Sequence, residues 1–316
     1  MAQVGIGSGS ILRDHGHSAS GDGAQLNPET ALNPQPKVDF GDGSDGDVTV
    51  PVVLVAARDM TFNNLIINAG AYFQPNGFVI KIKGKLSLVA GTSYIFGQGG
   101  GGGNGAAGVG GTAGGLPYYS GTRYIRTCLP TVGAKGADGG AAGVTVSVGG
   151  IAPDIDLINV PLLYEGRLWA GAGGGGGGSI GDGVEVGAAP ARVLAGAKGG
   201  DGADAQYIGP GNFSKGGGGG GAGGGKIEIW ANEIDNNGVI QASGGDGGIG
   251  EGDADAQAGG GGGGGGGAIL IFYKKVSGGG LGTRTVSGGA GGASFGGVAN
   301  GLPGAPGFSY AMKIGV

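Results

Sequence analysis

The chain has 316 residues, of which 89 are glycine, and only 13% are charged, with a formal net charge of −5. A weakly acidic chain without basic clusters has no electrostatic footprint for nucleic acid, and no apolar run approaches the ~20 residues that cross a bilayer. The single cysteine, Cys128, excludes an internal disulfide framework and a cysteine-rich zinc site. We therefore predict neither nucleic-acid binding nor membrane insertion.

Residues 1–47 are polar and carry three prolines, which is typical of an N-terminal attachment segment. Both histidines of the chain lie here, as His15-Gly-His17. Because alternate residues of an extended strand point to the same side, one chain would present two imidazoles together. Three chains around a threefold axis would offer six, an octahedral set suited to Fe(II) or another first-row transition metal. The alternative is a solvated segment that happens to contain two histidines.

The same segment ends in a turn-rich stretch with three closely spaced carboxylates, Asp42, Asp45 and Asp47. Carboxylates with glycines between them can wrap a calcium ion, but the downstream Glu of an EF-hand loop is absent. A turn in which the Asp side chains bond their own backbone is the favoured interpretation. The start of the chain lacks the basic residues and apolar stretch of a secretory signal, so we expect assembly in a cytoplasm.

Residues 48–98 are predicted to form a β-rich repeat unit. Apolar residues alternate or run continuously at 48–56, 61–68 and 78–90, which predicts strands there. The Asn63-Asn64 and Pro75-Asn76-Gly77 sequences supply turns between them.

Residues 99–225 are predicted to be a glycine-rich insertion with exposed loops. Long glycine runs are either mobile loops or extended polyproline-II-like strands, which can pack closely because no Cβ intervenes. A collagen triple helix is excluded, because glycine does not recur at every third position throughout. Large aromatic side chains on such a scaffold are candidate receptor-binding anchors, or else form small cores of the insertion itself. They are Tyr118, Tyr119, Tyr124, Trp169, Tyr207 and Phe213.

Residues 226–316 are predicted to contain further β-repeat units with glycine-rich loops. The segments 226–243 and 268–287 align with 78–88 and its continuation, since each reads as strand, turn, strand and glycine loop. Period two puts Ile227 and Ile229 on one face and Lys226, Glu228 and Trp230 on the other. Stacked units of this kind bury an apolar stripe that one unit could not bury alone. The expected fold is mainly β, a β-solenoid or β-sandwich-like stack with glycine-rich, polyglycine-II excursions from one edge.

Catalytic motifs are not evident in the chain. A thiol nucleophile needs a nearby histidine, and both histidines lie near the N-terminus. The acidic residues lie mostly in glycine-rich turns, and no pair stands out as a glycosidase dyad. We predict a protein that is not an enzyme, with a polysaccharide depolymerase built on a β-solenoid kept as an alternative.

Four stretches carry a resemblance to a known class of proteins: residues 14–26, 40–50, 59–70 and 76–84. They contain the His-Gly-His-Ser sequence, the Gly-Asp-Gly-Ser-Asp-Gly-Asp turn, and the Asn-Asn-Leu strand followed by Asn-Gly. In this order they resemble glycine-rich structural proteins of tailed bacteriophages, of the tail-fibre, adhesin and head-fibre kind. The resemblance is close over residues 11–110, and over the repeats at 226–292 it is only general.

The resemblance implies a virion component, homotrimeric, joined to other virion proteins by its N-terminal segment. In fibres of this kind the His-x-His histidines bind iron on the trimer axis, which would be His15 and His17 here. This chain has a single His-x-His sequence, whereas such fibres carry several. Related adhesins pack polyglycine-II strands in a distal domain and display receptor-binding loops between them.

The sequence therefore predicts a non-enzymatic virion protein that faces outward and serves in attachment to a host surface receptor. A capsid decoration or head-fibre protein is the alternative within the virion. A bacterial surface-matrix protein is disfavoured by the missing secretion signal.

Overall fold

The fold is taken from a computed structural model, which describes residues 39–106, 109–114, 141–146, 150, 176, 180–182, 206–207, 215–253, 256–294 and 300–315. Apart from Asp39, these residues belong to one compact unit, Phe40–Val316. For residues 141–146, 180–182, 206–207 and 256, only the backbone is described.

The described residues contain sixteen strands and no helix, so the expectation of a mainly β protein is confirmed. The strands are β1 Asp47–Val50, β2 Val53–Val55, β3 Met60–Phe62, β4 Asn64–Ile67, β5 Tyr72–Gln74, β6 Val79–Leu88, β7 Tyr94–Phe96, β8 Ala141–Val146, β9 Ile180–Asp182, β10 Gln206–Tyr207, β11 Lys226–Asn236, β12 Val239–Gln241, β13 Ala256–Gln257, β14 Ala268–Val276, β15 Thr283–Thr285 and β16 Phe308–Lys313.

Twelve of these strands form two parallel sheets. The first sheet has the order β1-β4-β6-β11-β14-β16, with β3 also pairing with β6. The second sheet has the order β2-β5-β7-β12-β15. The remaining strands form two short antiparallel pairs, β8 with β9 and β10 with β13.

Along the chain, a strand of the first sheet is followed repeatedly by a strand of the second: β1 by β2, β4 by β5, β6 by β7, β11 by β12 and β14 by β15. The segments that the sequence aligned lie side by side, because β11 pairs with both β6 and β14. The prediction of a single strand at 48–56 is wrong. It is divided at Pro51 between β1 and β2, which belong to different sheets, and proline has no N–H to continue a ladder.

The core consists of apolar side chains from both sheets. Ile227 and Ile229 are fully buried, whereas Glu228 and Trp230 are partly exposed, as the period-two pattern predicts. Lys226 is buried as well, and its ammonium group forms an ion pair with Glu228, which offsets part of the cost of burying the charge. From the second sheet, buried Phe73 packs edge-on against Phe62, with ring centroids 6.2 Å apart.

Glycine-rich tracts leave the second sheet and return to the first. Tracts 97–105, 242–250 and 286–294 follow β7, β12 and β15, and tracts 216–225, 258–267 and 300–307 precede β11, β14 and β16. Together with residues 109–114 we call them the glycine bundle. The outgoing glycine tracts therefore all follow strands of the second sheet, and β12 pairs with both β7 and β15.

The tracts of the glycine bundle are joined by backbone hydrogen bonds with a period of three residues. Successive residues of one tract donate to different neighbouring tracts, which satisfies main-chain groups that would otherwise be buried without partners. In tract 216–225, one set of donors is Gly218, Gly221 and Gly224, which bond the carbonyl oxygens of Gly259, Gly262 and Gly265, each at 2.9 Å. The next set is Gly219, Ala222 and Gly225, which bond Gly103, Gly100 and Gly97.

The number of neighbouring tracts sets how much glycine a tract needs. In tract 300–307, glycine recurs at every third position, and a Cβ at Gly301, Gly304 or Gly307 would overlap the carbonyl oxygen of a neighbouring tract. The positions between them hold exposed leucine, proline and alanine. Tract 258–267 is buried along its whole length and is glycine except for Ala258.

Candidate functional site at the far end of the glycine bundle

Three connections between outgoing and returning tracts meet at one end of the glycine bundle, which we call the far end. They are residues 105–109, 251–257 and 294–300, of which 107, 108, 254, 255 and 295–299 are not described. Backbone hydrogen bonds hold these ends together: Gly105 N to Ile249 O at 2.8 Å, Glu251 N to Gly216 O at 3.0 Å, and Gly250 N to Ala293 O at 3.1 Å.

A charged cluster lies at the point where the chain re-enters the bundle. The Lys215 ammonium is 2.9 Å from an Asp253 carboxylate oxygen and 3.7 Å from a Glu251 carboxylate oxygen. The Lys215 side chain is largely buried, and the other oxygen of Glu251 accepts a 3.3 Å hydrogen bond from Gly216 N. This partly buried network fixes the end of segment 115–214 to the bundle.

Two side-chain amides add to this frame, one between two tracts and one across the 294–300 connection. The Asn104 carbonyl oxygen accepts a hydrogen bond from Ile249 N at 2.9 Å, and that of Asn300 accepts one from Ser294 N at 3.0 Å. Ile249 and Val109 are exposed by 46% and 59%. The far end therefore combines a rigid hydrogen-bonded frame with exposed apolar side chains.

Segment 115–214 is attached to the bundle at both of its ends. Before it, Gly114 N donates to Gly220 O at 2.9 Å, and after it comes Lys215 in the charged cluster. Within it, strand β10 pairs antiparallel with β13, which places the backbone of Tyr207 opposite Ala256 in the 251–257 connection.

One of the six predicted receptor-binding aromatics, Tyr207, is thus brought to the far end by its backbone. The others, Tyr118, Tyr119, Tyr124, Trp169 and Phe213, lie outside the described residues. Sequence reasoning missed Lys215, Glu251 and Asp253. The signal that could have found them is the presence of charged residues directly beside glycine runs, where a tract ends.

The predicted metal ligands His15 and His17 also lie outside the described residues. In the part of the chain that the structure does describe, no group of three or more His, Cys, Asp or Glu side chains could hold a metal ion.

The three aspartates of the 42–47 turn are engaged by the protein itself. The Asp42 carboxylate accepts a hydrogen bond from Ser44 N at 2.9 Å, as expected for a local turn. Asp45 departs from that expectation, because it bonds Thr61 N at 2.7 Å and pairs with Arg58 instead of its own turn. Asp47 likewise accepts hydrogen bonds from the side chains of Asn63 and Asn64. These carboxylates link the turn to the strands that follow it.

We expect Asp42 to stay ionised to unusually low pH. The Thr61 hydroxyl donates to it at 2.7 Å, and this bond, aided by Ser44, lowers the pKa of Asp42 to about 2. A depressed folded-state pKa adds stability that is present above the ordinary pKa near 4 and is lost as the pH falls through about 2. Thr61→Val should raise the NMR titration midpoint of the Asp42 carboxyl, whereas the control Thr49→Val should not. A wild-type midpoint near 4 would contradict the assignment.

Among the described residues, no helix is long and apolar enough to span a membrane. No protein family, curated protein or solved structure matches the chain.

Proposed function

We propose that this chain is a non-enzymatic structural protein of a tailed-bacteriophage particle, facing outward and serving in attachment to a host-surface receptor. The observation that carries the proposal is the glycine bundle, which projects from the strand ends and holds both ends of the aromatic-bearing segment 115–214. Binding residues are commonly found on loops that a rigid scaffold positions. The bundle is suited to be such a scaffold.

The architecture we propose is a β-solenoid with a polyglycine-II bundle. Support for the solenoid comes from the repeated alternation of strands between two parallel sheets, because each repeat then packs only on its neighbours. Support for polyglycine II comes from the three-residue period of the hydrogen bonds, since an extended helix of this type has three residues per turn.

The receptor contact is proposed at the far end and in segment 115–214. Tyr207 is tied to the far end through β10, and Ile249 and Val109 add exposed apolar surface there. Aromatic side chains lose little rotamer entropy for the area they bury, which suits them to be binding anchors.

Self-association as a homotrimer is part of the proposal. Its support is an apolar stripe on the outer face of the first sheet, where Trp230 and Phe272 stack with ring centroids 4.1 Å apart. Tyr310 and Met312 on the edge strand β16 are exposed by 43% and 38%. Contiguous exposed apolar surface of this kind is typical of protein interaction sites. Attachment to other virion proteins through residues 1–47, and iron at His15 and His17, remain predictions from the sequence.

The test is binding of labelled, purified protein to a panel of intact bacterial strains, with its mass and iron content in solution recorded alongside. We expect saturable binding by an oligomer to a subset of strains. Because several anchors are removed together, the Tyr118→Ala, Tyr119→Ala, Tyr124→Ala triple variant should lose at least about tenfold in affinity.

The control is Val89→Ala, which truncates an exposed apolar side chain outside both segment 115–214 and the apolar stripe of the first sheet, and should leave cell binding unchanged. Full binding by the triple variant would exclude these tyrosines as anchors. An oligomer that binds none of the strains would overturn the attachment function and favour capsid decoration or a head fibre.

A further inference from the structure

A groove of about 420 Å³ lies on the outer face of the second sheet, away from the far end of the glycine bundle. It is lined by three aromatic and two amide side chains from the three strands β5, β7 and β12: Tyr72, Gln74, Tyr94, Phe96 and Gln241. Its volume is in the range of small-ligand sites, which are mainly apolar with a few fixed polar groups.

The period-two pattern of the strands creates this lining. Phe73, Ile95 and Ile240 are buried in the core, so their neighbours in β5, β7 and β12 project to the opposite face. The parallel register then aligns these neighbours across strands, with Tyr72 opposite Tyr94 and Phe96 opposite Gln241. The result is an aromatic row beside a mixed row of amides and phenylalanine.

The polar groups of the groove are held in place. The Gln241 side-chain nitrogen donates a 3.1 Å hydrogen bond to the side-chain oxygen Oε1 of Gln98, which leaves the Gln241 side-chain oxygen as an acceptor. The Gln74 side chain is only 4% exposed. Polar groups that are already ordered lose less entropy when a ligand binds.

We propose that this groove binds a neutral saccharide. Aromatic faces provide apolar contact for the C–H face of a sugar ring, and glutamine amides both donate to and accept from hydroxyl groups. None of the five lining residues is charged, which favours an uncharged ligand. An apolar protein face would instead bury the Gln241 amide oxygen without a hydrogen-bond donor.

This site is separate from the receptor contact proposed at the far end, and its binding chemistry does not depend on that function. The lining contains no carboxylate, so the proposal is binding and not glycosidic cleavage.

The experiment screens the full-length protein against an array of neutral and charged oligosaccharides, followed by calorimetric titration of the neutral ligands that bind. We expect binding of neutral oligosaccharides. Tyr94→Ala should weaken it at least about tenfold, since an aromatic platform is lost, whereas Tyr94→Phe keeps the ring and should stay within about threefold. Unchanged melting temperatures would show that both variants fold.

Three results would overturn the proposal: no neutral oligosaccharide binding at millimolar concentration, full binding by both Tyr94→Ala and Gln241→Leu, or a change of solution mass in Tyr94→Ala without any sugar binding. The last result would assign the groove to a contact between copies of the chain. The Tyr118, Tyr119, Tyr124 triple variant should keep its sugar binding, so that failure of the far-end function and failure of this proposal are distinguishable.

Discussion

Gly102→Ala is expected to disrupt the glycine bundle, whereas the same substitution at the preceding residue, Gly101, is not. A Cβ at Gly102 would overlap the carbonyl oxygen of Gly219 and lie 2.5 Å from its carbonyl carbon. These are main-chain atoms of a hydrogen-bonded tract and cannot rotate away. We expect a loss of about 3 kcal/mol, the upper part of the usual range for overpacking, and a melting temperature lower by roughly 6–12 °C.

The matched control is Gly101→Ala. A Cβ there meets only the carbonyl oxygen of Asp246, at 3.5 Å, which is an ordinary contact. Gly101 is exposed, and alanine reduces the entropy of the unfolded chain, so the change should be neutral or stabilising by up to about 1 kcal/mol.

Hydrogen exchange locates the effect of the Gly102 substitution. The amide of Gly219 donates to Gly103 O at 2.8 Å and should be protected in the wild type. It should lose protection in Gly102→Ala and keep it in Gly101→Ala. Equal behaviour of the two variants would mean that the tracts are not packed as described.

Ile67→Ala is expected to cost about 3 kcal/mol of unfolding free energy. Ile67 is fully buried in β4, opposite Leu88 of β6, and belongs to the core between the two sheets. Removing its side chain beyond Cβ leaves a cavity that the two sheets can fill only in part. The denaturation midpoint, followed by circular dichroism, measures the loss.

The neighbouring residue provides the control, because Ile66 is 36% exposed on the outer face of the same strand. Ile66→Ala should lower stability by less than about 1 kcal/mol. A larger loss at Ile66 than at Ile67 would mean that the strand is turned by one residue, with its core and outer faces exchanged.

Much of the sheet structure could be predicted from local patterns. The alternation around Ile227 and Ile229 predicted the burial of these two side chains, although not that of Lys226, and the repeat comparison identified segments that pair as β6, β11 and β14. The prediction of one strand at 48–56 is wrong, since the alternation of apolar residues does not reveal that the chain changes sheet at Pro51.

The candidate site could be predicted only in part. The aromatic residues of segment 115–214 stand out in a glycine-rich background, and Tyr207 is placed at the far end by its backbone. The cluster of Lys215, Glu251 and Asp253 depends on which tract ends meet, and that is decided by pairing between distant residues. The saccharide groove has the same origin, because its lining comes from strands far apart in the chain.

The sequence by itself determined the strand periodicity, the repeat and the places where glycine tracts leave and return, because these are properties of neighbours along the chain. Only the tertiary structure decided which glycines are indispensable, as the contrast between Gly101 and Gly102 illustrates. Because glycine has no side chain, its place in the sequence does not reveal what packs against it. Glycine is required where the main chain of another tract lies too close for a Cβ, and that close approach arises only when the tracts pack together.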